Sequence, residues 1–165
     1  MNSDKKVSVL FVCMGNICRS PMAEGVFRHV LAERAAHLDV QLDSAGTHGY
    51  HAGSPPDRRA CAAAERRGID ISKLAARRVA EADFGRFDYI LAMDQDNVSD
   101  LRELADPDDH GKIRLLMEFS PTSSGADVPD PYYGGVAGFE RVLDLIEESA
   151  DGLLAELERA AREMD

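Results

Sequence analysis

Residues 7–12, Val-Ser-Val-Leu-Phe-Val, form a short apolar run rich in β-branched side chains, and they end at the turn-forming stretch Cys13-Met14-Gly15-Asn16. An apolar run bounded in this way reads as a buried strand. Ser20-Pro21 then matches a helix N-cap followed by proline at the first helical position, and Met22, Ala23, Val26, Phe27, Val30 and Leu31 continue at helical spacing. Strand, tight loop and helix are joined within a few residues, as in a crossover that returns the chain parallel to its first strand.

The pattern recurs. Val40 and Leu42 mark a second strand, followed by a long loop over residues 44–56 and a helix from about Asp57 that Gly68 can terminate. Residues 89–93 and 113–116 read as two further buried strands, with a helix around residues 98–104 between them. Phe139, Val142, Leu143, Ile146, Leu153, Leu154 and Leu157 mark a long amphipathic C-terminal helix. The expected fold is α/β: a single domain over residues 1–165, with a four-stranded parallel sheet in flavodoxin-like order and helices on both faces. A chain of 165 residues with 44% hydrophobic and 30% charged side chains can bury such a core. Ligands of these sheets sit beyond the carboxyl ends of the strands, so Cys13 and the loop over residues 128–135 are expected to share one site.

Cys13 and Arg19 are separated by five residues and lie between a strand and a helix N-terminus. A loop this short can curl its backbone N–H groups inward as an anion-binding nest, with the helix N-terminus adding positive potential. Gly15 permits unusual dihedrals, and Asn16 tolerates left-handed ones while its side chain pins the loop. The sulfur at the centre is expected as a thiolate nucleophile, and Arg19 as a planar fork gripping two phosphate oxygens. Ser20 is expected both to cap the helix and to donate toward the sulfur. The plain alternative is two small core cysteines and a surface arginine, since the bare spacing is common by chance. The preceding strand, the glycine and the helix start together favour phosphate chemistry.

The segment Val9-Leu10-Phe11-Val12-Cys13-Met14-Gly15-Asn16-Ile17-Cys18-Arg19-Ser20-Pro21-Met22-Ala23-Glu24 resembles the signature of the low-molecular-weight protein tyrosine phosphatases. Ser44-Ala45-Gly46-Thr47, Phe87-Asp88-Tyr89-Ile90-Leu91-Ala92-Met93-Asp94 and Asp130-Pro131-Tyr132-Tyr133-Gly134 resemble further segments of that family in the expected order. The resemblance implies Cys13 as nucleophile, Arg19 as phosphate binder and Asp130 as general acid and then base. It casts Met14, Gly15, Asn16, Ile17, Cys18 and Ser20 as the substrate-binding loop, Tyr132 and Tyr133 as flanks of the cleft, and Tyr50 as an aromatic cleft wall. Asn16, Ser20 and Ser44 support the loop, with Ser44 hydrogen-bonding Asn16, and Cys18 acts as a redox guard for Cys13. One departure stands out. Where many members carry histidine in a Ser-x-His-x-Ala-Arg stretch, this chain reads Ser72-Lys73-Leu74-Ala75-Ala76-Arg77, so support near Asn16 is expected to be weaker or differently built.

The formal net charge of −11 disfavours nucleic acid as a partner. Arg58-Arg59, Arg66-Arg67 and Arg77-Arg78 read as solvated helix faces or as a patch for acidic phosphorylated partners. No run approaches the roughly 20 apolar residues of a membrane span, and Met1-Asn2-Ser3-Asp4-Lys5-Lys6 has no signal-peptide pattern, so a cytoplasmic location without membrane insertion is expected. Three cysteines without a Cys-x-x-Cys pair speak against a disulfide scaffold or structural zinc, and neither metal nor cofactor is expected. The expected partner is a tyrosine-phosphorylated protein, a bacterial-type tyrosine kinase among the candidates, acted on by a monomer.

Four other readings compete with this one. Asp94-Gln95-Asp96 echoes the nucleophile of magnesium-dependent aspartyl phosphatases, although Asp96 or Asn97 is more simply a helix cap. Arsenate reductases share the cysteine loop but relay oxidation through additional cysteines near the middle of the chain, where only Cys61, expected as a small buried helix residue, is available. Protein-arginine phosphatases commonly carry threonine where this chain has Ile17. A non-catalytic phosphotyrosine-binding module would need the cradle alone.

Overall fold

The computed structural model describes residues 6–163. Nearly all of the N-terminal stretch read for a targeting signal lies outside them. Strand β1 (Val7–Cys13) is buried at every position. It pairs in parallel with β2 (Val40–Gly46) on one side and β3 (Tyr89–Ala92) on the other, and β4 (Ile113–Leu115) adds to β3, giving the order β2-β1-β3-β4. This is the flavodoxin-like arrangement, and its strand order reverses between β1 and β3. Cys13, the last residue of β1, therefore opens into the crevice of the switch point.

Alternate residues of β1 serve two cores, because successive side chains point to opposite faces. Val7, Val9 and Phe11 pack with α1 (Arg19–Arg34), α2 (Arg58–Glu65) and α5 (Gly135–Glu163), through Phe27, Ala60, Phe139, Val142 and Leu153 among others. Leu10 and Val12 face α3 (Asp83–Arg86) and α4 (Gln95–Leu104) through Phe84, Val98 and Leu101. Helices thus cover both faces. Phe11 and Phe27 stack at 5.4 Å between ring centroids, and burying such a side chain contributes roughly 1.5–3 kcal/mol. Between β4 and α5 the chain makes a 3-10 turn at Leu116–Phe119, and α5 passes so close that a Cβ on Gly152 would lie 2.1 Å from the Phe119 carbonyl oxygen.

The outer edge of β2 is covered piece by piece. The Leu42 carbonyl accepts from Arg28 Nη2 at 3.4 Å, and the Ser44 N–H donates to Asp43 Oδ1 at 2.8 Å. The Gly46 N–H donates to the Arg77 carbonyl and the Gly46 carbonyl accepts from the Val79 N–H, each at 2.8 Å.

Several expectations are corrected. Ser20 does not cap α1: the helix starts at Arg19, and Cys18 holds the N-cap position without a side-chain bond, because the Ser20 hydroxyl is engaged elsewhere. The loop after β2 begins at Thr47 rather than Ser44, since pairing with β1 continues to Cys13 opposite Gly46. Cys61 is half-buried, because the inward face of α2 is Ala60, Ala63 and Ala64, and burial still pushes its thiol pKa up. Within the arginine pairs, Arg59, Arg66, Arg67 and Arg77 are neither free nor a basic patch, being paired with Asp57, with Glu140, with the trio Glu140, Asp144 and Glu147, and with Asp43 and Asp83 respectively. Among the described residues no helix is long and apolar enough to cross a membrane.

Candidate active site

The turn between β1 and α1 is held from three directions. Asn16 adopts a left-handed φ of 59°, which aims its N–H at the Cys13 sulfur, 3.3 Å away. The cost of that conformation is offset by a fully used side chain: Asn16 Nδ2 donates to Ser20 Oγ at 2.8 Å and Ser44 Oγ at 3.1 Å, while Oδ1 accepts from the Arg77 N–H at 2.9 Å. Ser44 Oγ in turn donates to the buried Glu24 carboxylate at 2.8 Å. Leu74 takes no part in this set and packs instead against the core. The Arg77 backbone carries the support.

These bonds have a direction. Since the Asn16 amide donates into Ser20 Oγ, the Ser20 hydroxyl proton is left to point at the Cys13 sulfur, 3.0 Å away. Two donors therefore face the sulfur, as suits a thiolate.

Gly15 has a negative φ, so its freedom to turn is not what the loop uses. A Cβ there would stand 3.0 Å from the His51 ring, and the missing side chain lets the loop over residues 47–56 close on the turn. Gly46 works similarly, because a Cβ would come within 2.7 Å of the Met14 carbonyl oxygen. Thr47 and His48 N–H groups reach the Cys13 and Met14 carbonyls at 2.9 and 3.0 Å.

Arg19 is buried at the start of α1. Its Nη1 donates to Asp94 Oδ2 at 2.6 Å and to the Val128 carbonyl at 2.9 Å, whereas Nε and Nη2 meet no acceptor among the described residues. One edge of the guanidinium is anchored, and the other remains as a two-pronged donor. Burial works against its charge, but the facing Cys13 and then Asp94 outweigh it and hold the group above the ordinary arginine value. Asp94 also caps α4 in a reciprocal capping box with Asn97, so both of its oxygens are engaged and it is unsuited to act as an aspartyl nucleophile.

A cleft of about 260 Å³ opens over this turn. Cys13, Met14, Gly15, Ile17, Cys18 and Arg19 form its floor, and Asp130, Tyr132, Tyr133 and His51 its walls. Asn16, Ser20 and Ser44 lie behind the lining and are buried. Asp130 comes from the exposed loop before α5, with its Oδ1 accepting from the Tyr132 N–H at 3.0 Å. The two tyrosine rings meet edge to face, 5.0 Å apart. Tyr50 does not line the cleft: it stacks on His48 and is 74% exposed, and the wall position falls to its neighbour His51. Cys18 is shielded, and burial, followed by Asp57, Cys13 and Asp130, pushes its thiol pKa up to about 12. Cys61 is not part of the lining.

The family profile described as low molecular weight phosphotyrosine protein phosphatase matches residues 8–163. The chain is 44% identical to the low molecular weight protein-tyrosine-phosphatase YfkJ of Bacillus subtilis, covering 93% of this chain and 97% of that protein. It is also 44% identical to the human low molecular weight phosphotyrosine protein phosphatase over 82% of this chain and 85% of the human one. Among solved structures, the protein tyrosine phosphatase of Entamoeba histolytica with Hepes in its active site superposes with a TM-score of 0.87 at 41% identity, covering 93% of this chain and 97% of that one.

Proposed function

Because the chain belongs to the low molecular weight phosphotyrosine protein phosphatase family, we propose that it hydrolyses phosphotyrosine in proteins, and small aryl phosphates, through a phosphocysteine formed on Cys13. The observation that carries this reading is the convergence of Cys13, Arg19 and Asp130, from opposite ends of the chain, on one cleft. The Cys13 thiolate attacks phosphorus, and an S–P bond forms as the P–O bond to the phenol breaks. The unanchored prongs of Arg19 grip the phosphoryl oxygens as charge shifts among them. Asp130, protonated, gives its proton to the departing phenolate oxygen. As a carboxylate it then takes a proton from the water that displaces Cys13 from phosphorus, releasing phosphate and restoring the thiolate.

Tyr132 and Tyr133 offer ring faces to the substrate phenyl group. A cysteine nucleophile needs a reducing compartment, and the cytoplasm supplies one, with a tyrosine-phosphorylated protein such as a tyrosine kinase as substrate. Two same-fold alternatives fit less well. An arsenate reductase relay needs additional cysteines near the middle of the chain, where Cys61 alone is available and lies off the cleft, and the apolar Ile17 on the floor departs from the threonine common in protein-arginine phosphatases.

Steady-state hydrolysis of a chromogenic aryl phosphate tests the reading. Turnover should persist in a strong chelator and vanish in Cys13→Ser, whose hydroxyl is far less ionised, while inorganic phosphate still binds that variant. A burst of covalent phosphoenzyme in Cys13→Ser would refute it.

A further inference from the structure

The two halves of the cleft are held very differently. The nucleophile turn is secured by the bonds around Asn16, whereas Pro129, Asp130, Tyr132, Tyr133 and Gly134 are all exposed. Two hydrogen bonds of residues 129–134 are internal, from the Tyr132 N–H to Asp130 Oδ1 and from the Gly134 N–H to the Pro131 carbonyl. Among the described residues, one reaches the stretch from elsewhere: Arg59 Nη1 donates to the Tyr132 carbonyl at 2.8 Å.

The same guanidinium is bidentate on Asp57, with Nε on Oδ1 at 3.0 Å and Nη2 on Oδ2 at 2.9 Å. It lies 5.2 Å from the centre of the Tyr132 ring and 4.8 Å from that of Phe139. Asp57 is tied to the floor of the cleft, because its N–H donates to the Ile17 carbonyl at 2.8 Å. Contacts therefore run without a break from Ile17 through Asp57, Arg59 and Tyr132 to Asp130.

We propose that Arg59 is a positioning residue that fixes the Asp130 carboxyl at its working place over the phosphate turn. The proposal rests on the reading of Asp130 as proton donor. Only a planar group with donors on several edges can hold a carboxylate on one side and a backbone carbonyl on another while lying against two rings. A loop buried only at Pro131 and reached from elsewhere by one hydrogen bond shifts when that bond is removed, and a misplacement of about 1 Å can cost on the order of 100-fold in rate. The phosphate turn has its own anchors and should not move with it.

The test compares wild type, Arg59→Met, Asp130→Asn and the double variant on phenyl phosphate and on an activated nitrophenyl phosphate, with inorganic phosphate as competitive inhibitor. Arg59→Met should lower kcat/KM about 10- to 100-fold on phenyl phosphate and about threefold or less on the activated ester, which scarcely needs protonation. Inhibition by inorganic phosphate should change by less than about twofold, since the cradle is intact. On the Asp130→Asn background the Arg59 substitution should be silent, because there is no proton left to position. Equal losses on both esters, or a full further loss in the double variant, would overturn the proposal. Equal losses in Asp130→Asn itself would instead remove the acid, and the positioning role with it. Should Arg59→Met fail to fold, Arg59→Lys, which keeps the charge without the fork, is read with the same pair of esters and should show the same selective loss.

Discussion

Asp94 has two attachments, one on each oxygen: Oδ1 caps α4 and Oδ2 fixes Arg19. They can be separated by substitution. Asn is as good an N-cap as Asp but carries no charge, so Asp94→Asn should leave α4 in place and loosen Arg19. Its kcat/KM on aryl phosphates should drop by about tenfold or more, as for loss of a group that orients a transition-state donor. Asp94→Ala loses the cap as well, and denaturant titration should show it less stable than Asp94→Asn by about 1 kcal/mol. Cys18 presents the opposite case, a side chain on the cleft floor that the chemistry does not use. With its thiol pKa pushed up to about 12 it stays protonated at neutral pH and does not compete with Cys13. Cys18→Ser should therefore keep most of its activity. After peroxide, recovery with thiol reductant should be better in wild type than in this variant, because a neighbouring thiol can capture a Cys13 sulfenic acid before further oxidation. Equal recovery would rule out a guard role for Cys18.

Among the elements, α5 tolerates least where it crosses the Leu116–Phe119 turn. Gly152→Ala would drive a methyl group against backbone, 2.1 Å from the Phe119 oxygen and 3.0 Å from its carbon, so the helix or the turn must move. Overpacking of this kind costs about 1–3 kcal/mol, to be seen as a lower denaturation midpoint with KM little changed. What a linear reading can see follows from distance along the chain. The four strands and the long amphipathic helix announce themselves in local periodicity, and Cys13, Asn16, Arg19 and Ser20 share one short turn whose residue types state their chemistry. Asp94 and Arg59 owe their places to partners 75 and 73 residues away, which no spacing rule brings together. His51 and Tyr50 differ by one position in an irregular loop without periodicity, so which of them faces the cleft is settled only by packing against Gly15. Ser20 misleads for a related reason. Ser-Pro is a sound local signal for a helix cap, but at this site the Cys13 sulfur and the Asn16 amide claim the hydroxyl.

For the molecule as a whole, acid is the condition expected to unfold it, since several carboxylates are held ionised by arginine in the folded state. Burial alone would raise the Glu156 pKa, yet bonds from Arg159 and Tyr89 outweigh it and hold the carboxyl below its ordinary range. Arg67 and Arg66 do the same for Glu140, and Arg59 for Asp57. Because these groups bind protons more readily when unfolded, their stabilisation is fully present above the ordinary carboxylate range and is lost as pH falls from that range through the lowered folded-state values. The melting temperature should be nearly flat around neutrality and decline below about pH 5, and Glu156→Gln should decline less steeply than wild type. Parallel slopes for the two proteins would show that Glu156 is not linked to folding. The covered outer edge of β2 bears on a different property. Edge strands with bare N–H and C=O groups are templates for chain-to-chain pairing and aggregation. Here Arg28, the Asp43 carboxylate and the backbone of residues 77–79 already occupy the Leu42 carbonyl, the Ser44 N–H and both backbone groups of Gly46. A crowded solution of this protein thus offers an incoming strand little to zip onto along that side, and fibrillar growth would have to start from somewhere else.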